Sequence, residues 1–490
     1  MREHVEQVEH VEHVGVAIVG AGIAGLGLAL RLADAGRDDV VVLERSDGVG
    51  GTWHDNTYPG VACDIPAHLY SFSFAPNPSW SRRYAPGAEI RDYLEACARR
   101  VRDRIRLGTT LIAASWDPEA SVWRLESDQG PLTADALVLA VGRLAEPRIP
   151  AIPGMGTFPG LVRHTARFTK DIEVAGQSVG VVGTGASAVQ LVPRLVEAGA
   201  RVTVFQRSAP WIVPRNDHAY DLATRDRFAA DDSSRAQHRA ALFAEQERGF
   251  AARRSGTTEL TEARERALEH LRAQVPDPHL RATLTPDVEF GCKRILLSDE
   301  YYPAVAAGRV RVVPAALAAL DGRAAIAASG ERIELDALVL ATGFVTDRPP
   351  ISASITGTDG TLAETWRDGM RAYASVAVPG FPNCFVLDGP NAALGHNSAV
   401  HMIETQIEYV LGAISCIEGG AVLDVDPAAE EGYTAEIDAR AAETVWLGCD
   451  SWYRDRASGR LTLLWPGTAA SFRARNGRFE IEPYRVLARR

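Results

Sequence analysis

The chain has 490 residues, a formal net charge of −11, 46% hydrophobic residues and 23% charged residues. That length suits about two to four domains with sizeable cores, and the composition is that of a folded protein, not a disordered one. The acidic excess argues against general nucleic-acid binding, and the lack of a bilayer-length apolar run or cleavable leader leads us to expect a cytoplasmic protein without a membrane partner.

The first residues, MREHVEQVEHVEHV, repeat a Val-Glu-His or Val-Glu-Gln triplet and gather His4, His10 and His13. No acidic or cysteine partners complete a recognisable metal site, so they read as a solvated extension. From Val14 the pattern changes. VGVAIVG reads as a buried strand, GAGIAG at Gly20 to Gly25 as a tight glycine turn, LGLALRLADAG as a helix ending at Gly36, and DDVVVLER as a second strand ending at Glu44. In such a unit Gly20 makes the turn, Gly22 lets the backbone approach a pyrophosphate and Gly25 lets helix and strand close up. The helix N-terminus faces the phosphates and Glu44 the ribose hydroxyls.

The same order recurs at GTGASA, from Gly183 to Ala188, where Gly183, Gly185 and Ser187 line the loop. The strand that follows ends differently, in Gln206, Arg207 and Ser208. An acidic residue there would repel a 2'-phosphate. A guanidinium fork suits one, so the second site is expected to prefer NADPH over NADH unless Arg207 is simply a surface arginine.

Strand-like runs ending in glycine follow each unit, DALVLAVG at Asp135 to Gly142 and DALVLATGF at Asp336 to Phe344. They resemble the signatures at which the chain crosses between the domains of two-dinucleotide flavoproteins. The expected fold is therefore α/β, with two Rossmann-like dinucleotide-binding domains, the second inserted in the first. Residues 1–147 and 335–490 form the FAD-binding domain, and 148–334 the NADPH-binding domain. Within the latter, about 217–285 is rich in Ala, Arg, Glu and Leu at helical spacing and reads as a helical insertion with solvated faces.

Six cysteines, Cys63, Cys97, Cys292, Cys384, Cys416 and Cys449, lie far apart with no CxxC pair. They are expected to be reduced, which disfavours the flavin disulfide reductases that share the two-nucleotide layout.

Two segments resemble fingerprints of the Baeyer-Villiger monooxygenases. GGTWHDNTYPGVACD, from Gly50 to Asp64, agrees at every fixed position: Gly51, Trp53, Tyr58, Pro59, Gly60 and Asp64. FPGLVRHTARFT, from Phe158 to Thr169, agrees at Phe158, Gly160 and His164 but has Phe168 where the family has Trp and Thr169 where it has Pro or Asp. GCKRILLSDEYY, from Gly291 to Tyr302, resembles the segment that carries the family's active-site arginine. GFPNCFVLDGPNAALGHNS, with Asn391 and His396, resembles the flavin-side segment, and SWYRD and LLWPG resemble C-terminal closing elements. Together these span nearly the whole chain.

The resemblance implies an FAD-containing, NADPH- and O2-dependent enzyme that converts a ketone to an ester or lactone through a flavin C4a-peroxide. It assigns Arg294 as the cation that stabilises developing negative charge and Asp64 as the group that orients it. Gly51, Trp53, Asp64 and Asn391 fall to the flavin side, and Lys293 joins Arg207 at the 2'-phosphate. Trp452 falls to the nicotinamide side, although Trp452 and Trp465 fit a core role equally well. Asp64 and Arg294 could also be a plain interdomain ion pair, and His164 a hydrogen-bonded structural histidine. Because Phe168 and Thr169 depart from the fingerprint, N-hydroxylation or sulfoxidation by a related flavin monooxygenase is the alternative activity. A flavin protein that only oxidises NADPH is a third reading.

Overall fold

A computed structural model describes residues 11–169 and 173–488. Its first sheet is centred on the strand Glu12–Val19, whose inner residues are buried because both faces are covered. That strand pairs in parallel with Val40–Leu43 on one side and Gly130–Leu139 on the other. Gly130–Leu139 pairs in parallel with Cys384–Val386, so the C-terminal third of the chain returns to the sheet begun at the N-terminus. The strand starts earlier than Val14. His13 already belongs to it, bonding Thr133 at 3.0 Å and lying 3.3 Å from Asp135, so it is strand rather than extension although its side chain stays exposed as expected. His4 and His10 lie outside the described residues.

The second sheet is parallel throughout, in the order Val310–Val313, Arg201–Phe205, Ser178–Val182, Ala337–Leu340, Leu161–His164. The strand Ala337–Leu340 lies past the boundary expected at 335, so the second unit's sheet extends through Leu340 before the chain crosses back. The strand forms there because ALVL is apolar on both faces and enters between Ser178–Val182 and Leu161–His164.

The expected insertion is helical: Leu222–Ala230, Asp232–Arg248, Thr258–Gln274 and Pro278–Leu284. Each begins at a side chain that accepts a backbone N–H, from Asp221, Asp231, Thr257 and Asp277 in turn, which satisfies otherwise orphaned donors. Glu247, at the end of the long second helix, accepts from the Ala469 and Ala470 amides at 2.9 and 3.1 Å and from Asn397 Nδ2 at 2.8 Å. The insertion is thereby fastened to the C-terminal region. Among the described residues no helix is long and apolar enough to cross a membrane.

One expectation fails outright. Cys292 and Cys449 form a disulfide across a sequence separation of 157, with Cα atoms 6.2 Å apart, while Cys63, Cys97, Cys384 and Cys416 are free. Nothing in the local spacing of the cysteines signals this pair. The fold brings GCKR and the segment before SWYRD together from opposite ends of the second half of the chain.

Candidate active site

The two glycine loops are built alike. Gly20 has φ +103° and a Cβ there would lie 2.6 Å from the Ala140 carbonyl oxygen; Gly183 has φ +108° and a Cβ there would lie 2.4 Å from the Ala341 oxygen. Ala140 and Ala341 end the two DALVLA runs, so each loop is pressed against the end of its own repeat. Gly22 and Gly185 then cap helices Ile23–Asp34 and Ala186–Glu197 without a side-chain cap, leaving the first amides directed outward. A Cβ on Gly185 would meet nothing within 4 Å, and one on Gly22 would meet only Gly51. These are open cradles of the kind a pyrophosphate fills, so the residues present suit both dinucleotides.

Around the first cradle, Glu44 is buried and its carboxylate accepts from the Ala21 amide at 2.7 Å and the Ser46 amide at 2.8 Å, holding the loop. Gly25 sits behind Gly20 in the helix, where a Cβ would strike the Gly20 oxygen at 1.9 Å. Gly51 lies directly against Gly22, and Trp53 is buried with its indole N–H 3.3 Å from the Tyr70 hydroxyl. Asn391 is also buried, and its amide donates to the carbonyls of Leu461 and Leu464 at 2.7 and 2.9 Å. Its side chain braces the LLWPG segment.

Around the second cradle, Thr184 Oγ1 donates to the Ser208 carbonyl at 2.9 Å, and Lys293 Nζ donates to Ser208 Oγ at 3.2 Å. Arg207 is exposed beside them, and Ser187 acts on the Tyr58 phenol. Lys293, Arg207 and Ser208 therefore assemble at one place from segments about 85 residues apart.

The Gly50 to Asp64 segment joins the two units. The Tyr58 hydroxyl donates to Gln190 Oε1 at 2.8 Å, the Thr57 hydroxyl to the Phe168 carbonyl at 2.6 Å, and Gly60, at φ +86°, lies so close that a Cβ would be 2.7 Å from the Gln190 oxygen. Phe168 itself is buried in the second unit's core. A phenyl ring fills that place, and its carbonyl, common to every residue type, makes the link.

At the end of this segment, Asp64 Oδ2 accepts from Arg294 Nε at 2.9 Å and from Nη2 at 2.5 Å. Both side chains are half-buried. The Asp64 charge raises the Arg294 pKa, outweighing the opposing effect of burial, so the guanidinium stays cationic. Both face a cavity of about 660 Å³ that also reaches Arg83, Arg215, Arg253 and His396. Arg215 donates to the Cys63 carbonyl at 3.0 Å and lies over the Tyr84 ring.

Three further placements decide roles. Trp452 is 38% exposed and its ring lies tilted at 45° with its centroid 4.5 Å from that of Tyr453, whereas Tyr453 is buried beside Arg294, whose cation partly offsets the upward push of burial on the phenol. Trp465 is fully buried and donates to Ser471 at 2.9 Å. His164 accepts from the Ala166 amide through Nδ1, donates from Nε2 to the Gly343 carbonyl at 3.0 Å, and is held to a lowered pKa by burial. A neutral ring with both nitrogens engaged is a structural link between Leu161–His164 and the crossing at Gly343. Sequence reasoning missed Tyr453, Arg215 and Arg253; the place of Tyr453 within SWYRD was a signal for the first, and nothing local marked the other two.

A profile described as pyridine nucleotide-disulphide oxidoreductase matches residues 17–245, a stretch that excludes both bonded cysteines. A Baeyer-Villiger monooxygenase of Streptomyces coelicolor is 45% identical over 99% of this chain and 95% of its own length. Among solved structures, an oxidized steroid monooxygenase bound to NADP is 31% identical with a TM-score of 0.81, covering 97% of this chain and all of the other. A complex of OTEMO with FAD and NADP is 26% identical, with a TM-score of 0.84 over 97% of this chain and 99% of the other. The chain belongs to the Baeyer-Villiger monooxygenase family of flavin-dependent oxidoreductases.

Proposed function

We propose that Arg294 and Asp64 form the working pair of this FAD- and NADPH-dependent monooxygenase, and that its small-molecule substrate is a ketone held in the cavity they face. When bound, FAD reduced by NADPH supplies activated O2, one atom of which enters beside the carbonyl to give an ester or lactone. Arg294 directs fixed N–H donors at the oxygen on which negative charge develops, and its charge does not depend on pH in the working range. Asp64 fixes the plane of the fork by accepting from two of its donors with a single oxygen. That two-donor contact on one carboxylate oxygen, at the wall of a cavity of about 660 Å³, is the observation that carries the reading.

The remaining residues position the cofactors. Gly20, Gly22, Gly25, Glu44, Gly51 and Asp64 belong to the flavin side, with Trp53 and Asn391 acting through packing and bracing. Gly183, Gly185, Ser187, Arg207, Ser208 and Lys293 belong to the NADPH side, and Trp452 to the rim near the nicotinamide. Residues 1–147 and 335–490 act as the FAD-binding part and 148–334 as the NADPH-binding part, with the strand Ala337–Leu340 shared by topology with the latter. Dependence on NADPH supports a cytoplasmic setting. The test is a panel of ketones and sulfides with NADPH or NADH and O2, read by product mass and hydrogen peroxide. Esters or lactones formed with NADPH in preference to NADH support the reading; sulfoxides or hydrogen peroxide alone overturn it.

A further inference from the structure

Of the arginines that line the cavity beside Arg294, Arg253 stands apart. Arg253 ends the short helical turn Ala251–Arg253 in the insertion, half-buried, with its plane near the Phe290 ring, 5.9 Å from the centroid. Its Nη2 donates to the Gly395 carbonyl at 3.2 Å and its Nη1 to the Gly249 carbonyl at 3.5 Å. Both acceptors are neutral. The other arginines lining the cavity are answered by carboxylates: Arg294 by Asp64, Arg83 by Glu245, Arg215 by Asp217 at 3.8 Å and Arg266 by Glu262 at 3.9 Å. Arg253 has no carboxylate partner among the described residues.

An unanswered cation in a partly dry cleft is costly unless something negative enters with it. Burial, reinforced by the Arg294 charge, pushes Arg253 down to about 10, which is still cationic at neutral pH. The fork is planar, retains donors beyond the two carbonyl bonds, and stands in a cleft roomy enough for a substrate of moderate size.

We propose that the ketone this enzyme oxidises carries a carboxylate, which Arg253 binds while the carbonyl lies at Arg294. The substrate class is an oxo acid whose two groups are separated by an apolar spacer. This rests on Arg294 serving the carbonyl. Arg253 sets specificity and takes no part in bond making.

The test uses the FAD-loaded enzyme with a medium-chain oxo acid, its methyl ester, and the unreactive alkanoate of equal length. In the wild type, kcat/KM for the acid exceeds that for the ester by tenfold or more, and the alkanoate binds in calorimetry. Arg253→Gln abolishes that preference through KM, weakens alkanoate binding at least tenfold, and leaves ester turnover and the NADPH KM unchanged; Arg253→Lys restores part of the preference. Equal effects on acid and ester, or a raised NADPH KM with the preference intact, overturn the proposal, the latter assigning Arg253 to the nicotinamide cofactor. A melting curve and flavin spectrum for each variant separate misfolding from these outcomes, and if Arg253→Gln misfolds, Arg253→Lys together with wild-type alkanoate binding decides the matter. Arg253-dependent alkanoate binding without oxygenation of either ketone refutes the Arg294 reading and leaves the anion site standing.

Discussion

Arg294 donates two N–H groups to one oxygen of Asp64 across 230 residues of sequence, so the guanidinium is oriented by a residue from the other side of the domain crossing. Asp64→Asn keeps the shape and removes the charge. We expect kcat to fall by about tenfold to a hundredfold, the size of a lost charge-assisted hydrogen bond, with FAD still bound. Steady-state kinetics with the best ketone of the panel checks this; unchanged kcat would mean that Arg294 is oriented by other groups.

The two kinds of glycine separate folding from binding. Gly60 has a left-handed φ and no room beside the Gln190 carbonyl, so Gly60→Ala should cost about 1–3 kcal/mol in thermal or urea unfolding. Gly185 has an ordinary φ of −75° and open space. Gly185→Ala should unfold like the wild type while raising the NADPH KM, because the added methyl stands where the phosphates approach. A folding defect at Gly185 or none at Gly60 would contradict the structure.

Acid should loosen the fold before it titrates carboxylates. Burial, aided by His238, Arg235 and Arg239, pushes His68 down to about 3, and burial with Arg473 and Arg239 pushes His401 down to about 4. Unfolded, both take protons near pH 6.5. The unfolded chain therefore binds more protons in that window, and stability falls as pH drops from about 6.5 toward 4, by up to about 1.4 kcal/mol per pH unit for each ring. Melting curves from pH 8 to 5 should show it, with a shallower slope in His68→Phe; an unchanged slope would exclude His68 as a source.

The Cys292–Cys449 bond closes a long loop, and chain entropy sets its contribution at up to about 5 kcal/mol. Thiol titration of the denatured, unreduced protein should find four free cysteines, and either dithiothreitol or Cys449→Ser should lower the melting temperature. Six titratable thiols would show that the bond does not form.

Local features were readable in advance. GAGIAG, GTGASA and the DALVLA repeats are short segments whose φ angles and buried runs are encoded where they stand, and the insertion announces itself through helical spacing. Asp64 and Arg294 came from matched motifs, since no spacing relates them. The cysteine bond, the bracing by Asn391, the cavity position of Arg253 and the burial of Tyr453 beside Arg294 depend on which distant segments meet. A strand boundary such as Ala337–Leu340 is likewise decided by the sheet that accepts it, not by the run itself.

The central claim is that the Arg294 guanidinium enables insertion of oxygen into the ketone. The direct measurement is ester or lactone formed per NADPH consumed by Arg294→Ala, with the flavin spectrum recorded alongside. The account predicts retained FAD, product formation lower by about a hundredfold to a thousandfold, and NADPH oxidation diverted to hydrogen peroxide. Product formation close to wild type in that variant would contradict it.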